Sequence, residues 1–271
     1  MTVPTQTVAH RTRRVWGAVD YHAIAVQDVV VSELLARAAD VHSGQRVLDV
    51  AAGSGNTALA AARRGARVTA TDLVPGLLET ASRRAAAEGL ELDVQLADAQ
   101  ELPFEDGTFD VVMSSFGAMY APDQQRTASE LIRVCRPGGR IAMANWTPDG
   151  LVARLQRVMA SLMPKTAQPP AGASPVWWGA EQHCRKLFGA RVTELIANVR
   201  EHEMCAQSAE EQVKLMADHL PPWHMALKSL PPDALQRLTA AAVAEYGEAN
   251  RATDGTLVAR AEYLEVVAVT A

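Results

Sequence analysis

The stretch from Arg46 to Asp72, RVLDVAAGSGNTALAAARRGARVTATD, decides the fold. Val47-Leu48-Asp49-Val50 is short, apolar and rich in β-branched residues, the pattern of a strand covered on both faces. Ala51 to Gly55 contains only small residues, so the backbone there can approach a ligand without side chains in the way. Ala58 to Arg64 consists of good helix formers, and Gly65 sits where a helix C-cap is expected. Arg67 to Thr71 reads as the next strand, and Asp72 ends it. A carboxylate at that tip can accept hydrogen bonds from both hydroxyls of a ribose. The stretch therefore predicts a nucleoside-containing ligand bound at the carboxyl edge of a parallel sheet.

Gly53, Gly55 and Ala58 satisfy G-x-G-x-x-G/A, which taken alone would also suit NAD and an oxidoreductase. Asp49 argues against that reading. It lies inside the end of the first strand, where a pyrophosphate would meet a carboxylate. A cationic ligand with an amino group suits it better, and S-adenosylmethionine carries both a sulfonium and an α-ammonium. An N-cap role for Asp49 on the helix near Gly55 is set aside here, because the residue lies too far upstream.

Working outward, strands are expected at about 46–50, 67–71, 92–97, 109–114 and 139–145, with helices at about 55–64, 75–88 and 122–135. Pro75 opens the second of these helices at a tolerated position, and Arg136-Pro137-Gly138-Gly139 turns the chain into the fifth strand. Alternation of this kind implies right-handed crossovers and a parallel sheet. Residues 1–20 read as a loosely held arm, and Tyr21 to Ala39 as helical. Beyond Thr147, helices are expected at 150–163, 179–188, 208–219 and 233–246, a Pro/Ala loop at 164–175, and strands at 192–199 and 263–269.

Further motifs follow in order: Leu96-Ala97-Asp98-Ala99, Leu102-Pro103-Phe104, Phe109-Asp110-Val111-Val112, Ser114-Ser115-Phe116-Gly117 and Arg133-Val134-Cys135-Arg136-Pro137-Gly138-Gly139. On these, the segment from about Val41 to Thr147 resembles the class I S-adenosylmethionine-dependent methyltransferases. The branch is the one containing the ubiquinone/menaquinone-biosynthesis C-methyltransferases. Ala51 stands where many relatives have the first glycine of G-x-G-x-G. The resemblance implies an α/β, Rossmann-like, seven-stranded, mostly parallel sheet with helices on both faces. Its last two strands would form an antiparallel edge pair. The expected organisation is an N-terminal arm or lid (1–40), a cofactor-binding core (41–150), and helical substrate-binding insertions plus the last two strands (151–271).

The resemblance also assigns roles. Asp49 orients the methionyl ammonium, and Gly53, Ser54 and Gly55 pass the backbone beneath the methionyl and ribose part. Asp72 binds the ribose and Leu73 packs on adenine. Asp98 accepts from the adenine amino group while the Ala99 amide donates to the ring, and Ser115 makes a further cofactor contact. Trp16 and Tyr21 are either a lid, with the Tyr21 hydroxyl reaching the cofactor carboxylate, or a pair of core anchors.

The chain is 5% aromatic, yet three of its five tryptophans (Trp177, Trp178 and Trp223) fall in the expected helical insertions, with Phe188, Met159, Met163, Met204, Met216 and Met225. They would suit a flat or greasy substrate, or simply an apolar helical core. A general base, where one is needed, is expected among His183, His202, His219 and His224; His219 and His224 are the candidates, placed in one loop beside Trp223. No metal-ligand spacing accompanies them.

The expected reaction is methyl transfer to the O, N or C of a small apolar or aromatic molecule in quinone-like or secondary metabolism. A prenyl-diphosphate acceptor would need a cationic cluster, for which Arg154, Arg157, Lys165, Arg185 and Lys186 are available. A non-catalytic partner protein with the same fold is the remaining alternative. The chain has 271 residues, is 48% apolar, and carries a net charge of −5, so it has a proper core and no basic footprint for nucleic acid. Cys135, Cys184 and Cys205 read as free thiols, and no stretch is long and apolar enough to span a membrane. A cytoplasmic enzyme is expected, its partners being a small-molecule acceptor and at most a second copy of the chain.

Overall fold

The computed structural model describes residues 5–163 and 174–271; most of the Pro/Ala loop read at 164–175, including Lys165, lies outside them. An amino-terminal helical segment comprises α1 (Thr5–Trp16), α2 (His22–Ala25) and α3 (Val29–Ala38). The core then alternates through β1 (Arg46–Val50), α4 (Asn56–Arg63), β2 (Arg67–Asp72), α5 (Pro75–Ala87), β3 (Asp93–Leu96), β4 (Phe109–Ser115), α6 (Gln124–Val134) and β5 (Cys135–Trp146). After it come α7 (Leu151–Leu162), α8 (Glu181–Phe188), β6 (Val192–Ala206), α9 (Ala209–His219), α10 (Pro221–Ser229), α11 (Pro232–Ala249) and β7 (Leu257–Thr270).

These strands form one seven-stranded sheet in the order β3-β2-β1-β4-β5-β7-β6. The first five are parallel, and β7 runs antiparallel to both β5 and β6, as expected. Val47, Leu48 and Val50 of β1 are fully buried, as are Val111, Val112 and Ile141 beside them, because helices cover both faces. The reversal of strand order falls between β1 and β4, and the carboxyl ends of those strands open a crevice there.

Four expectations need correction. The arm expected to be loosely held is helical over Thr5–Trp16, and Arg13 Nε donates to the Leu73 carbonyl at 2.8 Å, fixing its end across β2. Pro221-Pro222 opens α10 instead of forming a loop, because the first turn of a helix has no intrahelical use for the missing N–H groups. Arg136 to Gly139 belong to β5 itself, with an irregularity in the pairing to β4 opposite Phe109 and Val111. Lastly, β6 runs on to Ala206: Arg200, Glu201 and Glu203 break the apolar run, but Glu201 and Glu203 point outward, while Arg200 shares the face of His202 and Met204 and pairs with the buried Glu265.

Candidate active site

A cavity enclosing about 1030 Å³, open mouth included, lies at the carboxyl ends of β1 to β4. Each strand delivers its following loop to the wall: Ala51 to Ser54, Asp72 to Val74, Ala97 to Gln100 and Ser115 to Ala118. The amino-terminal helices close the other side with Thr12, Trp16, Tyr21, Ala25, Asp28 and Ser32. Among the described lining residues the charged ones are Asp28, Asp72 and Asp98, all acidic, so the wall favours a cationic occupant.

The glycine loop is tightly built. Ala51 has φ 56, Gly53 φ 55 and Gly55 φ 88, a run in the left-handed region that turns the chain from β1 into α4. A Cβ on Gly55 would stand 2.7 Å from Ala81 Cβ, so this glycine lets α4 pack on α5 and does not itself line the cavity. The Asp72 carboxylate holds the loop from β2, accepting from Gly53 N and from Val74 N, each at 2.9 Å. A carboxylate has about four acceptor sites, so this one keeps capacity for a ligand. Arg84 of α5, which no sequence motif singles out, donates to the Ser54 carbonyl at 2.6 Å and to Asn56 Oδ1 at 2.8 Å.

Asp49 is 1% exposed and lies beneath the cavity floor rather than in its wall. Its Oδ2 accepts from Ala58 N at 2.8 Å, at the third position of α4. The capping role set aside on sequence distance is therefore real: β1 ends directly beneath the helix N-terminus, and nine residues of separation collapse to one hydrogen bond. Asp49 Oδ1 has no hydrogen-bond partner among the described residues, nor has Ser115 Oγ at the end of β4. Buried polar atoms left in this state are exceptional. They suit a ligand with donors to offer.

The remaining sequence candidates divide clearly. Tyr21, Gly53, Ser54, Asp72, Leu73, Asp98, Ala99 and Ser115 all line the cavity. Asp98 accepts from the backbone and side-chain amides of Gln100, which fixes its carboxylate at the end of β3. The Tyr21 ring stands 3.5 Å from where a Gly53 Cβ would be, and its edge meets Trp16 at 5.4 Å between centroids. Trp16 also contacts Tyr120 at 5.2 Å. Burial pushes the Tyr21 phenol up, and that of Tyr120 up to about 12.

His219 and His224 do not line the cavity. Their Nδ1 atoms meet the carbonyls of Asp20 and Ala217, each at 3.0 Å, and they sit at the end of α9 and within α10 rather than in one loop. Trp178, Phe188 and Trp223 are core residues, and Tyr246 draws Met204 and Met216 into the same interior. The cavity's aromatic wall comes instead from Trp16, Tyr21, Phe116 and Tyr120. Arg154 pairs with Glu245 and Arg185 with Glu181, and neither lines the cavity.

Comparison with known proteins supplies the family. Residues 48–143 match the family described as "Methyltransferase domain". An uncharacterized protein of Mycobacterium tuberculosis is 46% identical over 196 residues, covering 72% of this chain and 70% of that protein. A demethylmenaquinone methyltransferase of Thermus thermophilus is 42% identical over 127 residues, 44% of this chain and 58% of its own. The solved YcgJ protein of Bacillus subtilis shares the fold, with a TM-score of 0.56 at 20% identity over 88% of this chain and 97% of its own. The chain belongs to the class I S-adenosylmethionine-dependent methyltransferases. Its cofactor is S-adenosylmethionine, which replaces the NAD reading of the glycine loop. No helix among the described residues is long and apolar enough to cross a membrane, and among them no group of His, Cys, Asp and Glu could hold a metal ion.

The acidic floor has a measurable consequence. Burial raises the Asp49 carboxyl well above its ordinary 3.8, opposed by the Ala58 amide and assisted by Asp72, which is itself raised by burial. The fold thus holds more protons than the unfolded chain between 3.8 and the raised values, and its stability falls as pH rises through that window. A bound cation lowers both values again, so binding releases protons and tightens as pH rises through the same window. Calorimetric titration with S-adenosylmethionine in buffers of different ionisation enthalpy should show that release.

Proposed function

We propose that the protein methylates a small, largely apolar or aromatic molecule in quinone-like or secondary metabolism. The observation that carries this reading is the composition of the cavity wall: four aromatic side chains, three carboxylates, and no basic residue among the described lining. Such a wall suits a flat neutral acceptor and disfavours a diphosphate. Similarity to demethylmenaquinone methyltransferases supports the quinone-like class.

S-Adenosylmethionine supplies an activated methyl group, which leaves the protein mainly to align the reactants and exclude water. Asp72 accepts from the ribose hydroxyls, Leu73 packs on the adenine, and Asp98 with the Ala99 amide reads the adenine edge. Ser115, whose hydroxyl has no partner among the described residues, makes a further cofactor contact. Gly53, Ser54 and Gly55 carry the backbone beneath the methionyl part, and Asp49 draws its ammonium. Tyr21, on the amino-terminal lid, closes over that end and excludes water.

A panel of phenols, hydroquinones, amines and isoprenoid diphosphates, incubated with the purified chain and S-adenosylmethionine labelled in its methyl group, tests the acceptor class. Labelled product from the aromatic members supports it. Product from the diphosphates alone contradicts it.

A further inference from the structure

Asp28 lines the cavity from the turn between α2 and α3. Its Oδ1 stands 3.2 Å from Nε2 of His202, on β6. His202 is 3% exposed, and the contact is not aligned as a hydrogen bond, so both ring nitrogens lack a hydrogen-bond partner among the described residues. The Trp146 ring backs the imidazole at 6.3 Å. An acid–imidazole pair whose imidazole is buried and whose acid is part-exposed seldom stabilises a fold better than apolar side chains of the same volume. Its place in the cavity wall points to chemistry instead.

The surroundings of Asp28 narrow that chemistry. Three phenols, those of Tyr21, Tyr120 and Tyr246, lie close enough to feel its charge. The other charged groups of the described wall are Asp72 and Asp98. An acceptor already ionised to an anion would be repelled on entry. It must enter neutral and lose its proton inside, against the aromatic surface of Trp16, Phe116 and Tyr120.

We propose that Asp28 is the catalytic residue that takes this proton, that His202 positions it, and that the acceptor is a phenol. The inference rests on the reading above that one cavity holds both cofactor and acceptor. The phenolic oxygen forms the new bond to the methyl carbon, the carbon–sulfur electron pair leaves with sulfur, and the phenolic proton passes to the Asp28 carboxylate. The neighbouring imidazole shares the proton until product leaves and the proton passes to water through the open mouth of the cavity, which restores the carboxylate before the next turnover.

The test uses the full chain, S-adenosylmethionine and para-substituted phenols whose own pKa values run from above to below the assay pH. Asp28→Asn is expected to lower kcat by about 100-fold for phenols neutral at that pH. Phenols already ionised need no base, so their kcat should not fall, and relief of the repulsion from Asp28 should lower their KM. Binding of S-adenosylhomocysteine, followed by calorimetry, should stay close to wild type. His202→Ala should lower kcat with KM little changed and displace the acidic limb of the pH profile. Should Asp28→Asn not fold, the wild-type pH profile decides: the rate with weakly acidic phenols should persist well below their own pKa. Equal losses across the series, a rate that tracks free phenolate, or turnover confined to tertiary amines and thioethers would overturn the proposal. So would cofactor binding with no phenol methylated. Failure of the wild-type chain to bind cofactor at all would instead remove the reading on which the proposal rests.

Discussion

Replacing Asp72 by alanine is expected to weaken S-adenosylmethionine binding by about 10³-fold, from two charge-assisted hydrogen bonds worth roughly 2 kcal/mol each. The carboxylate has two duties. It accepts from Gly53 N and Val74 N, which fixes the glycine loop against β2, and it presents its remaining acceptor capacity to the ribose. Alanine removes both. Asp72→Asn separates them in part, since its single carbonyl oxygen still serves one donor while its amide faces another. Calorimetric titration of both variants, with thermal melting to follow the loop's contribution to stability, checks the ranking: alanine worst, asparagine intermediate. Wild-type affinity in the alanine variant would show that the ribose is held elsewhere.

Gly117→Ala should be severely damaging at the cavity, for the sake of a single methyl group. A Cβ there would collide with the Ala51 carbonyl oxygen and fall 2.9 Å from Ala51 Cβ. Ala51 has no easy retreat, because its φ of 56 already lies in the left-handed region that disfavours a side chain. The loops after β1 and β4 would be forced apart where the cavity is formed. Overpacking ordinarily costs about 1–3 kcal/mol; contact with a strained backbone puts this case at the upper end or beyond. The expected result is a lowered melting temperature together with loss of cofactor binding. Gly76→Ala is the control: nothing lies within 4 Å of its Cβ position, the residue is exposed, and it sits in the first turn of α5. It should be neutral or slightly stabilising.

What can be read in advance is what is local. The β1-α4-β2 unit announces itself through a change of period across a loop of small residues, and the strand-end positions of Asp72, Asp98 and Ser115 follow from counting along each strand. Parallel topology then brings those ends together at one edge. Contacts made through space leave no such trace. Asp49 caps α4 because β1 ends beneath it, a relation that sequence distance argues against. Arg84 clamps the glycine loop from the following helix. Asp28 and His202 meet only because the amino-terminal segment folds back towards the far edge strand, β6. The tryptophans of the carboxyl-terminal half mislead for a related reason. Burial in a core and exposure to a substrate select the same residue types, and only packing separates them.

That the acidic cavity at the ends of β1 to β4 is the S-adenosylmethionine site is tested most directly by one titration series. The purified chain is titrated calorimetrically with S-adenosylmethionine, S-adenosylhomocysteine and NAD, and the series is repeated on Asp72→Ala. The expected result is binding of both adenosyl ligands to the wild-type chain, loss of both in the variant, and no heat from NAD. Binding of NAD alone, or adenosyl binding untouched by the substitution, would contradict that assignment.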